Sequence, residues 1–278
     1  VDYIVRGEGE RVLPQLLDSL SKSIGVQCIN SISYRYKGNI VENPEEIPAP
    51  DLDGLPRPAY DSLHNLHNRV VYYEASRGCP FRCAYCLSAR QPSVRLHSMA
   101  RIKEDLLYLH GRGAKEIKFV DRTFNASEKR AMEIMEYLLA LPGNVRCHFE
   151  IRAELISDRF IDFLKNVPPN RFFFEVGIQS TNPETLSAIG RKSDWHEVRK
   201  RILQIREETD IHLHLDLIAG LPFENYERFK ATFNHVMEVR PHVIQLGFLK
   251  ILKGSPLALD IHKYGYSIQQ HPPYEILA

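Results

Sequence analysis

Residues 70–86 of the chain read VVYYEASRGCPFRCAYC, an apolar run followed directly by a cysteine-rich loop. The run Val70–Tyr73 predicts a short β-strand. Three cysteines then follow with the spacing C-x3-C-x2-C, at Cys79, Cys83 and Cys86. Because a loop this short can turn three thiolates toward one point, the stretch predicts a metal site at the end of a strand.

Three thiolates are one fewer than a closed metal site needs. Structural zinc takes four protein ligands, and ordinary iron–sulfur clusters are held by four cysteines. A [4Fe–4S] cluster held by three cysteines would leave one iron free to bind a small molecule, and it would then be a reactive centre. The alternative is a zinc site completed by Cys28, Cys147 or a histidine. Otherwise, those two cysteines are interpreted as small buried hydrophobic residues.

Strand-like and helix-like segments alternate after Val70. Short β-rich runs are predicted over residues 70–76, 115–120, 145–151, 171–178, 211–218 and 242–249. Helices are predicted over residues 98–110, 126–140, 157–167, 182–189, 194–208 and 224–238. Strands separated by helices favour parallel pairing through crossover connections. Six such units predict an α/β fold, a partial (βα)6 barrel related to the eight-stranded TIM barrel, with active-site loops at the carboxyl ends of the strands.

Two of the predicted helices begin with a capping-box pattern, in which a polar residue stands three positions before a glutamate. Asn125 precedes Glu128 in this way, and Asp194 precedes Glu197. The pattern predicts that the side chains of Asn125 and Asp194 cap the helices that follow them.

Polar residues stand near the carboxyl ends of the predicted strands, where a barrel of this type carries its active site. They are, in chain order, Asp121, Thr123, Glu150, Gln179, Arg191 and Asp216. His212 and His214 alternate along the fifth strand of the barrel and are therefore expected on one face of the sheet, the interior face of the barrel. These two histidines are candidate proton donors.

The cysteine loop resembles that of the radical S-adenosylmethionine (radical SAM) enzymes, including an aromatic residue, Tyr85, just before the third cysteine. The resemblance covers about residues 70–255. In that family the open iron of the cluster chelates the amino and carboxylate groups of SAM. One electron then splits the sulfonium to give a 5′-deoxyadenosyl radical, which is chemistry supplied by the cofactor.

The fourth and fifth strands resemble the branch of this family that contains anaerobic coproporphyrinogen oxidase and the cobalamin-dependent enzymes. The resemblance implies that Gln179 and Asp216 hydrogen-bond the ribose hydroxyls of SAM, with Glu150 on the same ligand. It also implies that Arg191 pairs with the carboxylate of SAM, and that residues 121–125 contact its amino group. The implied cofactor-binding residues are Tyr85, Asp121, Thr123, Glu150, Gln179, Arg191 and Asp216.

The residues before the barrel resemble the end of a cobalamin-binding domain. A strand, the turn Gly7–Glu10 and an amphipathic helix resemble the last strand and helix of such a domain, and residues 1–42 are interpreted as this remnant plus the hairpin that follows it. Residues 43–69 contain several prolines and predict an extended linker. The barrel core is expected over residues 70–255, and residues 256–278 are expected to begin a C-terminal extension.

Composition narrows the class of protein. The 278 residues are 44% hydrophobic and 26% charged, as in ordinary globular proteins. The formal net charge of +1 argues against a nucleic-acid partner, and no stretch is long enough to span a membrane. Five cysteines, three of them clustered, predict a reducing compartment, the cytoplasm. A start at Val1 and an end at Ala278 without a closing element indicate a fragment of a longer protein.

The resemblance to radical SAM enzymes implies an enzyme that uses a [4Fe–4S] cluster and SAM, and the resemblance of the first residues to a cobalamin-binding domain implies cobalamin in the full-length protein. The expected reaction is methyl transfer to a small-molecule substrate, supported by an electron donor such as flavodoxin or ferredoxin. Three alternatives stay open. They are a radical SAM oxidoreductase of the coproporphyrinogen oxidase type that does not use cobalamin, a binding protein stabilised by zinc, and an electron-transfer iron–sulfur protein.

Overall fold

A computed structural model describes residues 2–45, 51–57, 66–90 and 93–277. The chain divides into two compact units, Val1–Ala59 and Tyr60–Ala278. Much of the predicted linker, namely residues 46–50 and 58–65, lies outside the described residues. Among the described residues, no helix combines the length and the apolar character that a membrane crossing requires.

The first unit is a small antiparallel sheet with one helix. Its elements are β1 (Tyr3–Val5), α1 (Gly9–Ser21), β2 (Ile32–Tyr36) and β3 (Asn39–Glu42). Strand β2 pairs with both β1 and β3, and the turn at Lys37 and Gly38 closes the predicted hairpin. Val12 and Leu16 of α1 pack into a cluster with apolar residues of this unit, whereas Leu13, Leu17 and Leu20 are exposed. The helix therefore buries only part of its apolar face among the described residues.

The second unit contains strands and helices in alternation. Its strands are β4 (Val70–Tyr73), β5 (Ser76–Arg77), β6 (Arg95–Leu96), β7 (Glu116–Phe119), β8 (Arg146–Ile151), β9 (Phe172–Gln179), β10 (His212–Ala219) and β11 (Val243–Phe248). Its helices are α2 (Met99–Gly111), α3 (Glu128–Ala140), α4 (Asp158–Leu164), α5 (Pro183–Ala188), α6 (Trp195–Glu208), α7 (Tyr226–Glu238) and α8 (Pro256–Leu259). The six long strands and the first six helices of this unit match the predicted ranges to within three residues at each end.

Six strands form one parallel sheet in the order β11-β10-β9-β8-β7-β4. The order follows the chain from one edge to the other, as expected for successive βα units. The edge strands β4 and β11 are not paired with each other in the described residues. The predicted partial (βα)6 architecture is confirmed.

The two faces of this sheet differ in chemistry because side chains alternate along each strand. In β8, Cys147, Phe149 and Ile151 are buried in the main core, whereas His148 and Glu150 lie on the opposite face and are only partly covered. The core side is dominated by aromatic rings, with Phe149 in contact with Phe119, Phe124, Phe172 and Phe174. The polar side is available for a functional site.

One of the two predicted capping boxes is wrong. Asp194 does cap α6, because its side chain accepts a hydrogen bond from the backbone N–H of His196. Asn125 instead binds the backbone of Arg152, and Ser127, without a side-chain cap, precedes α3. The buried Asn125 amide forms two hydrogen bonds with the Arg152 backbone, whereas a helix cap would give it one. The two bonds stabilise this arrangement more than the single bond of a cap would.

Candidate active site

The three clustered cysteines lie in the loop that follows β5. Cys79 and Cys83 are buried, Cys86 is half-buried, and all three thiols are free. Burial raises the pKa of the Cys83 thiol, and the nearby guanidinium of Arg191 opposes that shift. Within the described ranges, no three His, Cys, Asp or Glu side chains are arranged to hold a single metal ion. The fit to a [4Fe–4S] cluster therefore rests on donor chemistry, three thiols on one short loop.

Backbone contacts hold this loop on both sides. The N–H of Ala84 donates to the carbonyl of Ile189 at 2.9 Å, and the N–H of Leu257 donates to the carbonyl of Ala84 at 2.8 Å. Gly78 has φ +100°, and a Cβ at this position would stand 2.1 Å from the carbonyl oxygen of Ser93. Only glycine fits there, because a side chain would clash with fixed backbone. The conformation of the loop is thus set by three separate parts of the chain.

The segment after β7 supports the same loop. Asp121 is buried, and its two carboxylate oxygens accept from the Ala75 N–H at 2.9 Å and from the Ser76 hydroxyl. Burial raises the pKa of Asp121 to about 6. The Thr123 hydroxyl lies 3.6 Å from the Cys79 sulfur. Both predicted residues are therefore at the cysteine loop, where Asp121 already binds the backbone that leads into it.

Arg191 and Tyr85 meet beside the cysteines. The buried guanidinium of Arg191 donates to the Gly177 carbonyl at 2.6 Å, and its charge acts on the neighbouring Tyr85 hydroxyl. Its Nη2 also lies 3.6 Å from a carboxylate oxygen of Glu154. Burial raises the pKa of Tyr85 to about 12, against the opposing effect of Arg191. The Arg191 Nε has no partner among the described residues, which leaves one buried donor for a ligand.

Gln179 stands at the carboxyl end of β9 in a left-handed conformation, with φ +69°. Its amide folds back over Gly177, where a Cβ would stand 2.4 Å from the Gln179 Nε2. The Oε1 of Gln179 is buried and has no hydrogen-bond partner in the described part of the chain. Asp216 on β10 pairs in register with Gly177. Gln179, Arg191 and Asp216 are therefore all placed around Gly177, towards the carboxyl ends of β9 and β10.

A carboxylate that the sequence analysis did not single out, Glu175, lies on the polar face of the sheet. It accepts from His148 Nε2 at 2.7 Å and from Lys118 Nζ at 3.2 Å. The His148 hydrogen bond and the Lys118 charge lower the pKa of Glu175 to about 2. Glu175 faces Glu150 directly across β8 and β9. Its alternation with Gly177 and Gln179 along β9 is the sequence signal that could have identified it.

The two predicted carboxylates on this face are both destabilised as anions. Burial first, and then the charges of Glu175 and Glu150, raise the pKa of Asp216 to about 7. Burial and the charge of Glu175 also raise the pKa of Glu150. Three carboxyl groups on adjacent strands with Lys118 as their shared cation favour a ligand that carries positive charge or donates hydrogen bonds.

The two predicted proton donors of β10 share this face, as their alternation predicted, but their surroundings differ. His214 Nε2 lies 3.3 Å from Asp216 Oδ1, without hydrogen-bond geometry. His212 stacks between Phe173 and His242, with ring centroids 4.9 and 4.5 Å away. Burial lowers the pKa of both His212 and His214, so both favour the neutral form. In the part of the chain that the structure describes, His214 is the one of the two that lies beside a predicted site residue, Asp216.

The two remaining cysteines differ from each other. Cys147 is fully buried in the main core, where burial raises its pKa to about 12, and its interpretation as a small hydrophobic residue is confirmed. Cys28 precedes the hairpin and is exposed, so the same interpretation of Cys28 is wrong. The apolar residues beside it, Val26 and Ile29, fill the small core in its place.

Residues 73–236 match the family model described as Radical SAM superfamily. The uncharacterized methyltransferase PH0819 of Pyrococcus horikoshii is 31% identical over 243 residues, which are 84% of this chain and 52% of that protein. The cobalamin-dependent radical SAM methyltransferase TokK of Streptomyces tokunonensis is 26% identical, with 95% of this chain and 42% of that protein covered. The chain spans about half the length of these curated relatives.

The fold is also similar to that of TsrM from Kitasatospora setae, a radical SAM methyltransferase whose structure holds tryptophan and a SAM analogue. The TM-score is 0.77 at 18% identity, over 98% of this chain and 57% of that chain. A second structure of TsrM, with a TM-score of 0.76 at 16% identity over the same shares of the two chains, contains cobalamin and a [4Fe–4S] cluster. At this level of identity the likeness is one of fold.

Proposed function

This chain belongs to the radical SAM superfamily, and we propose that it is the catalytic core of a cobalamin-dependent radical SAM methyltransferase. The observation that carries the proposal is a loop with three free cysteines beside Arg191, near the carboxyl ends of the strands that bear Gln179 and Asp216. Members of this family use a [4Fe–4S] cluster and SAM. Cobalamin and methyl transfer are supported by the names of the relatives, TokK and TsrM among them.

Cys79, Cys83 and Cys86 would hold the cluster, which supplies the electron that splits SAM. Arg191 offers a buried guanidinium with an unpaired Nε, suited to the carboxylate of SAM. Gln179 contributes an unpaired amide oxygen that can accept from a ribose hydroxyl.

Two further carboxyl groups, Asp216 and Glu150, face the same side of the sheet. A pKa of about 7 makes Asp216 able to donate as well as accept hydrogen bonds near neutral pH, and burial together with the charge of Glu175 also raises the pKa of Glu150. Tyr85, Asp121 and Thr123 would complete the site. Asp121 would act through the backbone N–H of Ala75 and the hydroxyl of Ser76, since these two groups already engage both of its oxygens.

The cobalamin part of the proposal concerns residues 1–42, which we interpret as the end of a cobalamin-binding domain and a hairpin. The apolar side chains of Leu13, Leu17 and Leu20 are 47%, 57% and 40% exposed on α1. Such a face suits packing against more of a corrinoid-binding domain. We infer that the substrate is a small molecule and that flavodoxin or ferredoxin supplies electrons.

Anaerobic reconstitution with iron counting tests the cluster assignment. Cys79→Ala, Cys83→Ala and Cys86→Ala are each expected to lose the cluster and the cleavage of SAM to 5′-deoxyadenosine. The matched controls are Cys28→Ala and Cys147→Ala, which are expected to keep both. Full iron content in any of the first three variants would remove that cysteine from the site, and stoichiometric zinc in the wild type would favour the zinc alternative.

Spectroscopic titration with hydroxocobalamin tests the second cofactor. The present chain is expected to bind it weakly or not at all, whereas a protein extended upstream by the length of a domain is expected to bind it. If the extended protein fails to bind, a radical SAM enzyme without cobalamin remains, such as an oxidoreductase.

A further inference from the structure

Glu154, in the short 3-10 turn that follows β8, lies between two buried arginines next to the cysteine loop. One of its oxygens, Oε1, accepts from the Arg152 Nε at 2.8 Å and also from the Arg152 Nη2. The same oxygen lies 3.6 Å from the Arg191 Nη2. Both guanidinium groups are less than a tenth exposed, so this carboxylate is their shared counter-ion.

Each arginine in turn contacts an aromatic residue of the cysteine loop. The Arg152 guanidinium carbon lies 3.8 Å from the centroid of the Phe81 ring, within the range of a cation–π interaction. Arg191 interacts electrostatically with the Tyr85 hydroxyl. Phe81 and Tyr85 flank Cys83 two residues away on either side. The two arginines therefore hold the loop on both sides of its middle cysteine.

The Arg152 side of this arrangement is fixed to the rest of the core. The buried side chain of Asn125 donates to the Arg152 carbonyl at 2.8 Å and accepts from the Arg152 N–H at 2.9 Å. Asn125 belongs to the same segment as Asp121 and Thr123, which contact the start of the cysteine loop. Asn125 thus holds the backbone of Arg152 in place, and the Arg152 side chain reaches Glu154 and Phe81 from this fixed position.

We propose that Glu154 is a positioning residue, which holds Arg152 against Phe81 and Arg191 against Tyr85 and thereby sets the conformation and the charge around the cysteine loop. Two arginines and one carboxylate leave a net charge of +1 in a buried region. A bound cluster becomes more negative when it is reduced, so this charge favours the reduced form. The part of the inference that concerns the cluster rests on the proposed function.

The charge balance predicts that the reduction potential of the cluster shifts in opposite directions in two variants. Glu154→Gln keeps an acceptor but raises the local charge to +2, so the reduction potential of the cluster is expected to rise. Arg152→Gln lowers the local charge to zero, so the potential is expected to fall. Spectroscopic redox titration measures both, with iron content as a check. Glu133→Gln on α3, which removes a half-exposed ion pair with Lys103 of α2, is the matched control and is expected to leave the potential unchanged.

The role of Glu154 in positioning the cysteine loop is tested on the metal-free chain. The measurement is the rate at which a thiol reagent labels each cysteine. Glu154→Ala removes charge-assisted hydrogen bonds, so Cys83 and Cys86 are expected to react about tenfold faster or more. Exposed Cys28 and fully buried Cys147 are internal references in the same chain, and neither rate is expected to change. Peptide mass spectrometry resolves the five cysteines of the chain.

Unchanged labelling of Cys83 and Cys86 would overturn the positioning role, and so would simultaneous exposure of Cys147, which would mean general unfolding. Potential shifts of the same sign in Glu154→Gln and Arg152→Gln, or none, would overturn the electrostatic role. If the wild type takes up no cluster while the labelling result is as expected, the proposed function fails and the positioning of the loop by Glu154 stands.

Discussion

Replacing Asp216 with Asn should stabilise the second unit at high pH and not at low pH. The side chain of Asp216 is 17% exposed and faces Glu175 and Glu150, and its pKa is raised from 3.8 to about 7. In the unfolded chain the carboxyl ionises near its ordinary value. As the pH rises through the window between these two values, the unfolded state loses its proton before the folded state does, so stability falls.

The magnitude follows from the two pKa values. The ionisation penalty in the wild type grows from about 1.5 kcal/mol at pH 5 to about 4 kcal/mol at pH 8. Asp216→Asn carries no such penalty at either pH. The free energy of unfolding of the variant relative to the wild type should therefore rise by roughly 2.5 kcal/mol over this interval. Glu175 does not contribute to the change, because its pKa of about 2 lies below the interval.

Urea unfolding followed by tryptophan fluorescence measures this difference. The chain has one tryptophan, Trp195, which packs against the main core of the second unit. Glu227→Gln, an exposed site on α7, is the matched control and should follow the wild-type profile. A difference between Asp216→Asn and wild type that is the same at pH 5 and pH 8 would refute the electrostatic account of this face.

Three further predictions concern the same unit. Asn125→Ala removes both hydrogen bonds to the Arg152 backbone and leaves buried groups unpaired, so urea unfolding should show a loss of about 2–4 kcal/mol. Gly177→Ala displaces the flexible end of Gln179, so calorimetric titration should show weaker SAM binding while the thermal midpoint stays within a few degrees of wild type. Phe149→Ala opens a cavity at the centre of the aromatic cluster, so urea unfolding should show a loss of about 3–5 kcal/mol, and a loss near zero would contradict the packing described.

Much of the fold was predictable because its signals are local. Alternation of apolar residues identified β8 and β9, and the change from a period of two to a helical period identified the helices between strands. The order of strands in the sheet followed from the alternation of strands and helices alone. The cysteine spacing identified the loop, since three thiols within eight residues need no distant partner.

The side-chain partners were less predictable. Asn125 has the sequence context of a helix cap, yet the fold places Arg152 beside it, and two buried hydrogen bonds outweigh one. Asp121 stands where a cofactor contact was expected, yet its oxygens are engaged by Ala75 and Ser76. Neither pairing is visible in the sequence, because the partners are 27 and 46 residues apart.

The sequence by itself determined the parallel α/β architecture, the place of the cysteine loop after the first barrel strand, and the strand ends that carry polar residues. These features depend on periodicity and spacing, which are properties of neighbouring residues. Only the tertiary structure decided that Glu175 would join Lys118 to His148 and that Glu154 would join Arg152 to Arg191. Those contacts depend on strand register and loop packing, and a charged side chain takes its pKa and its role from the groups that the fold places around it.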